Sequence, residues 1–225
     1  MDAALRMTEL LLALAFLQHS AEHLVGPRVE KALFGLRGVL CLLLLAGVQT
    51  AAVLLGLCLL HLVILHRFQG PYNGGSDRMG GLVLACLSLA HWLPGALWQE
   101  VAFAYLGVQL TLSYVVSGLV KLRNPDWRRG TALSDVFAFS AYPVSEDLRG
   151  LASRGRLMWA GSWAVILFEA LFPLALIFPL SLAVALLIGA LFHLTNACLF
   201  GLNRFFWIWL AAYPSLIWLQ ARLIL

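Results

Sequence analysis

Long apolar runs alternate with short polar breaks along nearly the whole chain. A helix needs about twenty apolar residues to cross the hydrocarbon core of a bilayer. On that measure the pattern predicts eight spans, at about 7–25, 32–47, 50–67, 80–97, 100–122, 157–178, 180–201 and 203–222. Residues 32–67 are too long for one ordinary crossing, so the short break Gly47-Val48-Gln49-Thr50 decides the count. The longest polar connection, 123–156, still carries Leu133, Val136, Phe137 and Phe139. Short helices lying at the membrane surface are expected there, one of them starting at Ser145 ahead of Glu146 and Asp147. The turn-rich stretch 67–81 is expected to fold back toward the helices.

Composition agrees with this pattern. With 62% hydrophobic and 12% charged residues, the chain lacks the polar surface that would cover a soluble core of its size. The fold class expected is all-α, a polytopic integral membrane helical bundle forming one domain over 1–225, with no separate soluble domain. In a bacterium this places it in the plasma (inner) membrane. The first apolar run ends in Gln18, His19 and Glu22 rather than at a small-residue cleavage site, and so reads as a retained helix. Cys41, Cys58, Cys86 and Cys198 lie in apolar segments at unrelated spacings, which suits packing rather than a disulfide framework.

The net charge of +4 reads as topology, and nucleic acid is not an expected partner. With eight crossings, thirteen of the fifteen Lys and Arg residues fall on one side, and only Arg6 and Arg222 on the other. Under the positive-inside rule this favours eight crossings with both termini outside the cytoplasm. The basic 123–156 connection can rest on lipid headgroups, making membrane lipids an expected partner.

The candidate chemistry centres on Lys121, one of two lysines in a chain that otherwise uses arginine. It closes the fifth span within SGLVKLRNPDWRRG. A lysine there either snorkels to the headgroups or serves a function that needs an ionisable amine beside hydrocarbon. Thr111, Tyr114, Gly118 and Lys121 form one helical stripe, extended by Gly107 and flanked by Ser117. Such a stripe suits a neighbouring helix or a cavity. In the seventh span His193, Asn196, Phe200 and Asn203 repeat the spacing, with packing and function both open. Glu169, the sole acid of its span, needs a partner, for which His193 and Arg204 are candidates. His61 and His91 read as structural hydrogen bonders. His19 to His23 formally reads H-x-x-E-H, but no third ligand follows and no metal is expected.

Two patches resemble a known family. One is Tyr114-Val115-Val116-Ser117-Gly118-Leu119-Val120-Lys121-Leu122 with Pro125-Asp126-Trp127 and Gly130. The other is Phe192-His193-Leu194-Thr195-Asn196-Ala197-Cys198-Leu199-Phe200-Gly201-Leu202-Asn203-Arg204-Phe205. Both are similar to the membrane domain of the vitamin K-dependent gamma-carboxylases, the horizontally transferred transmembrane (HTTM) family. The resemblance implies a reduced, vitamin K-like quinone as cofactor and a protein or peptide as substrate. It implies Lys121 as the base that deprotonates the hydroquinone, after which oxygen addition gives an alkoxide that removes a proton from the gamma carbon of glutamate. Carboxylation follows, a lyase-type reaction. His193 would join Lys121 in catalysis, with Tyr114, Gly118, Trp127, Asn196 and Glu169 around the cofactor. Arginine could not replace the base, because its guanidinium does not deprotonate in proteins. The chain departs from the family pattern by one extra residue between Lys121 and Trp127, and by the lack of a histidine within 72–78. Its charge distribution also puts Lys121 on the cytoplasmic side, whereas the carboxylase acts on the lumenal side. A second expectation therefore stands beside the enzyme: a non-catalytic accessory for maturation, export or anchoring of another protein.

Overall fold

The computed structural model describes residues 1–67, 74–140, 142 and 146–224. Among them every regular element is helical. The long helices are α1 (Asp2–His23), α2 (Arg28–Ala46), α3 (Thr50–Arg67), α4 (Gly75–Trp92) and α5 (Ala96–Arg123). Two short helices follow, α6 (Pro125–Arg129) and α7 (Thr131–Phe139), and then α8 (Gly155–Leu171), α9 (Pro179–Phe200) and α10 (Asn203–Ile224). Each of the eight expected spans thus coincides with a long helix. Four segments are long and apolar enough to cross a membrane: Thr50–Arg67, Ala96–Arg123, Gly155–Ile177 and Pro179–Phe200.

The break that decided the span count is present. Gly47 takes a left-handed conformation (φ 72°), and the Gly47 and Val48 N–H groups bond back to Leu44 and Leu43. This closes α2 as glycine-capped helices commonly end. Other boundaries differ from expectation. The fourth span, expected to run to 97, stops at Trp92 because Leu93 precedes Pro94 and takes an extended ψ of 140°. The span expected over 157–178 is α-helical only to Leu171. Pro173 cannot donate to an α-helical ladder, and Phe172–Ile177 continues as a 3-10 turn. In the 123–156 connection Asn124 caps α6 through a bond from the Asp126 N–H. Arg149–Ser153 adds a 3-10 turn. The helix start expected at Ser145, and the centre of the 67–81 stretch, lie outside the described residues.

The chain divides into two compact units, residues 1–108 with 204–225, and residues 109–203. The first unit holds α1 to α4, the first half of α5 and α10. Its core combines Leu12 and Phe16 with Phe34, Leu54, Leu57, Leu84, Leu87 and Phe103. It also buries charged groups, Glu9, Arg37 and Asp77 among them. Arg6 donates to the terminal carbonyls of α2 at Leu44 and Leu45 and to Glu9, and Glu9 also meets His91 at 2.6 Å. Arg37, one of the thirteen cations counted from sequence on the basic side, is buried. It lies between the rings of Phe16 and Phe34 and donates to Ser20.

The second unit is built from the C-terminal half of α5, the surface helices α6 and α7, α8, the 3-10 turn and α9. Gly130, between α6 and α7, has φ 83°, and a Cβ there would fall 2.6 Å from the Trp159 nitrogen. Only glycine lets this corner close onto α8.

Candidate functional site

The second unit brings most of the sequence-expected residues into one region. Gly118 sits where α5 and α8 touch. A Cβ on it would come within 2.8 Å of the Ala170 Cα and 2.9 Å of the Glu169 carbonyl carbon. This contact fixes Glu169 against α5, and Lys121 lies one turn further along. Lys121 Nζ donates to Glu169 Oε2 at 2.6 Å, with side-chain exposures of 19% and 6%. Neither His193 nor Arg204, the partners offered from sequence, takes Glu169. Arg204 bonds Glu22 at 3.1 Å and also meets His23. Gly118 thus allows the close approach of α5 and α8.

The indole of Trp127, on α6, lies 5.2 Å from Lys121 Nζ, within the range of a cation–π contact. Lys121 and Trp127 open onto a cavity of about 460 Å3. Phe139, Phe192 and Phe200 give it an aromatic lining, and Asn196 and Asp135 add polar groups. The Asn196 amide makes no side-chain hydrogen bond among the described residues, so it is available to a ligand. Asp135 was not singled out from sequence. The signal was present, since α7 is amphipathic with Leu133 and Val136 also lining the cavity, but its sharing a cavity with Lys121 is not a local property of the sequence.

His193 does not join this cavity. It is buried, and its Nε2 lies 2.9 Å from Tyr114 Oη, while the Tyr114 ring stacks on Phe172 at 4.2 Å. Tyr114 precedes Lys121 by two helical turns, roughly 10 Å along α5. The stripe read from sequence thus divides into two constellations, Tyr114 with His193 and Lys121 with Glu169. Asn196 belongs with the second.

The H-x-x-E-H residues are otherwise engaged. His23 meets Glu30 at 3.2 Å and stacks on Phe34, and Glu22 takes Arg204. No group of three His, Cys, Asp or Glu side chains suited to a metal occurs among the described residues. A second cavity, of about 780 Å3, is almost wholly apolar and is lined by Phe168, Phe172 and Phe178 among others.

Helices of this length and apolarity, around a buried lysine–carboxylate pair, define an integral membrane protein of all-α class. Residues 95–220 match the HTTM domain, more than half of the chain, and the chain belongs to the HTTM family, a membrane-associated family related to the gamma-carboxylases. No curated protein and no solved structure matches it.

Proposed function

We propose that the protein binds a reduced quinone in the Lys121 cavity and that Lys121 accepts a proton from it. The observation that carries this reading is the cavity of about 460 Å3 lined by Lys121, by aromatic rings and by the Asn196 amide. Its volume lies within the usual range for small-molecule sites, and a flat ring bearing hydroxyl groups fits such a lining. When bound, a hydroquinone would supply the redox equivalents and the reactive oxygen chemistry. The chain's own residues bind and orient it. Phe192 and Phe200 would line the ring's surroundings, Asn196 would offer it an amide, and Trp127 would cover the Lys121 amine. Membrane insertion by eight crossings belongs to this proposal, supported by the eight long helices and the uneven charge. An amphiphilic quinone would then enter from the bilayer.

The experiment is mass spectrometry of lipid extracts from the purified protein. A co-purifying quinone in the wild type, reduced in Asn196→Leu and Lys121→Met, is expected. Equal recovery from all three would contradict the site.

A second reading is favoured by the ion pair itself. A lysine already matched to a carboxylate at 2.6 Å can be a structural fastener between α5 and α8. The protein would then be a non-catalytic accessory in the maturation, export or anchoring of another protein. Replacing both partners by apolar residues, Lys121→Met with Glu169→Leu, would preserve an accessory role and abolish a proton-accepting one.

A further inference from the structure

We infer that Glu169 takes the proton that Lys121 must give up before it can act as a base, and that the two residues work as one proton-accepting unit. This rests on the quinol reading of the cavity and adds to it a role for a buried carboxylate.

The argument starts from the pair as found. Lys121 Nζ and Glu169 Oε2 are 2.6 Å apart, with Glu169 nearly sealed from solvent and Lys121 less so. We take the resting pair as ammonium and carboxylate, the form in which a lysine–glutamate hydrogen bond is strongest. An ammonium has no lone pair and cannot accept a proton. For Lys121 to act as a base, its proton must first go somewhere, and among the described residues the only carboxylate bonded to it is Glu169.

The step balances as follows. One proton passes from Nζ to Oε2 along the existing hydrogen bond, leaving a neutral amine and a carboxylic acid. The amine then takes the proton of a ring hydroxyl, whose O–H bond breaks and leaves its electron pair on the ring oxygen. At the end Lys121 is again an ammonium, Glu169 is a neutral acid, and the ring oxyanion has replaced the carboxylate as counter-ion. No electron is transferred. The site holds one positive and one negative charge before and after.

That constancy is the physical point. Creating a charge pair from neutral groups in a poorly solvated site is expensive, whereas exchanging one anion for another beside the same cation leaves only the difference in acidity between the ring hydroxyl and the carboxylic acid to be met. Trp127 supports the same outcome, since its ring face favours the ammonium in both states. Asp135 lines the cavity too, but it is exposed and no ion pair joins it to Lys121 among the described residues.

The test uses the full chain in nanodiscs and 4-nitro-1-naphthol, a ring hydroxyl whose oxyanion absorbs visible light, in buffer acidic enough to keep the unbound probe protonated. Infrared difference spectra are recorded alongside the visible spectrum as the probe is added. The expected result is the naphtholate absorbance together with a new carboxylic-acid C=O band. That band should move when the chain carries glutamate labelled with 13C at the side-chain carboxyl, and should vanish in Glu169→Gln. The labelled wild type assigns the band to glutamate rather than Asp135 even if the variant fails to fold. Naphtholate without the acid band, or a band that does not move with labelled glutamate, overturns the role of Glu169 while leaving the cavity as a binding site. Folded wild-type protein that does not bind the probe overturns the quinol reading itself, and this inference with it.

Discussion

Lys121 and Glu169 are 48 positions apart and meet at 2.6 Å, one turn from Gly118, where a glycine lets α5 and α8 come into backbone contact. Removing one partner of a largely buried pair strands the other. Lys121→Met or Glu169→Leu alone is expected to destabilise by about 3 kcal/mol, and the double variant to recover most of the loss. Thermal midpoints of the four proteins in one detergent check this. Additive losses would show that the pair does not interact.

Gly118 makes that pair possible. Gly118→Ala would drive a methyl group into the Glu169–Ala170 backbone, and an expected loss of about 1–3 kcal/mol follows from overpacking. Gly155, with no atom within 4 Å of its would-be Cβ, is the control. Gly155→Ala is expected to be neutral or to stabilise by about 0.5 kcal/mol. Melting of the two variants distinguishes them.

Tyr114→Phe keeps the stack on Phe172 and removes only the hydroxyl that reaches His193. Because His193 is buried, the loss of this partner is expected to cost about 1–3 kcal/mol. Since the pair lies away from the Lys121 cavity, quinone recovery should hold at wild-type level in the folded fraction. Lost recovery at unchanged stability would join the two constellations.

Topology is checked by labelling. In a background without the four native cysteines, single cysteines at Gly74 and Gly150 should react from one side of the membrane, and at Gly95 from the other. Reaction of all three from one side would contradict eight crossings.

Much of this arrangement was legible in the sequence, because helix period and apolar length are local properties. Tyr114, Gly118 and Lys121 could be placed on one face, and the hairpin at Gly47 could be read from its turn residues. The identity of Glu169's partner was not legible, since it depends on which faces of two distant helices touch. In retrospect Gly118 held the signal: a glycine one turn before a lone lysine allows close approach, and the lone acid of another span is the natural occupant. The burial of Arg37 was not legible either. Its charge counted toward the basic side, whereas two phenylalanine faces and a serine hold it inside.

The central claim is that Lys121 takes a proton from a bound hydroquinone. Purified protein in nanodiscs should be supplied with vitamin K-type hydroquinone under oxygen and the quinone products resolved by mass spectrometry. The account predicts epoxide or another oxygenated product from wild type and none from a folded Lys121→Met variant. Equal product from both, or none from wild type that demonstrably binds the quinone, would contradict it.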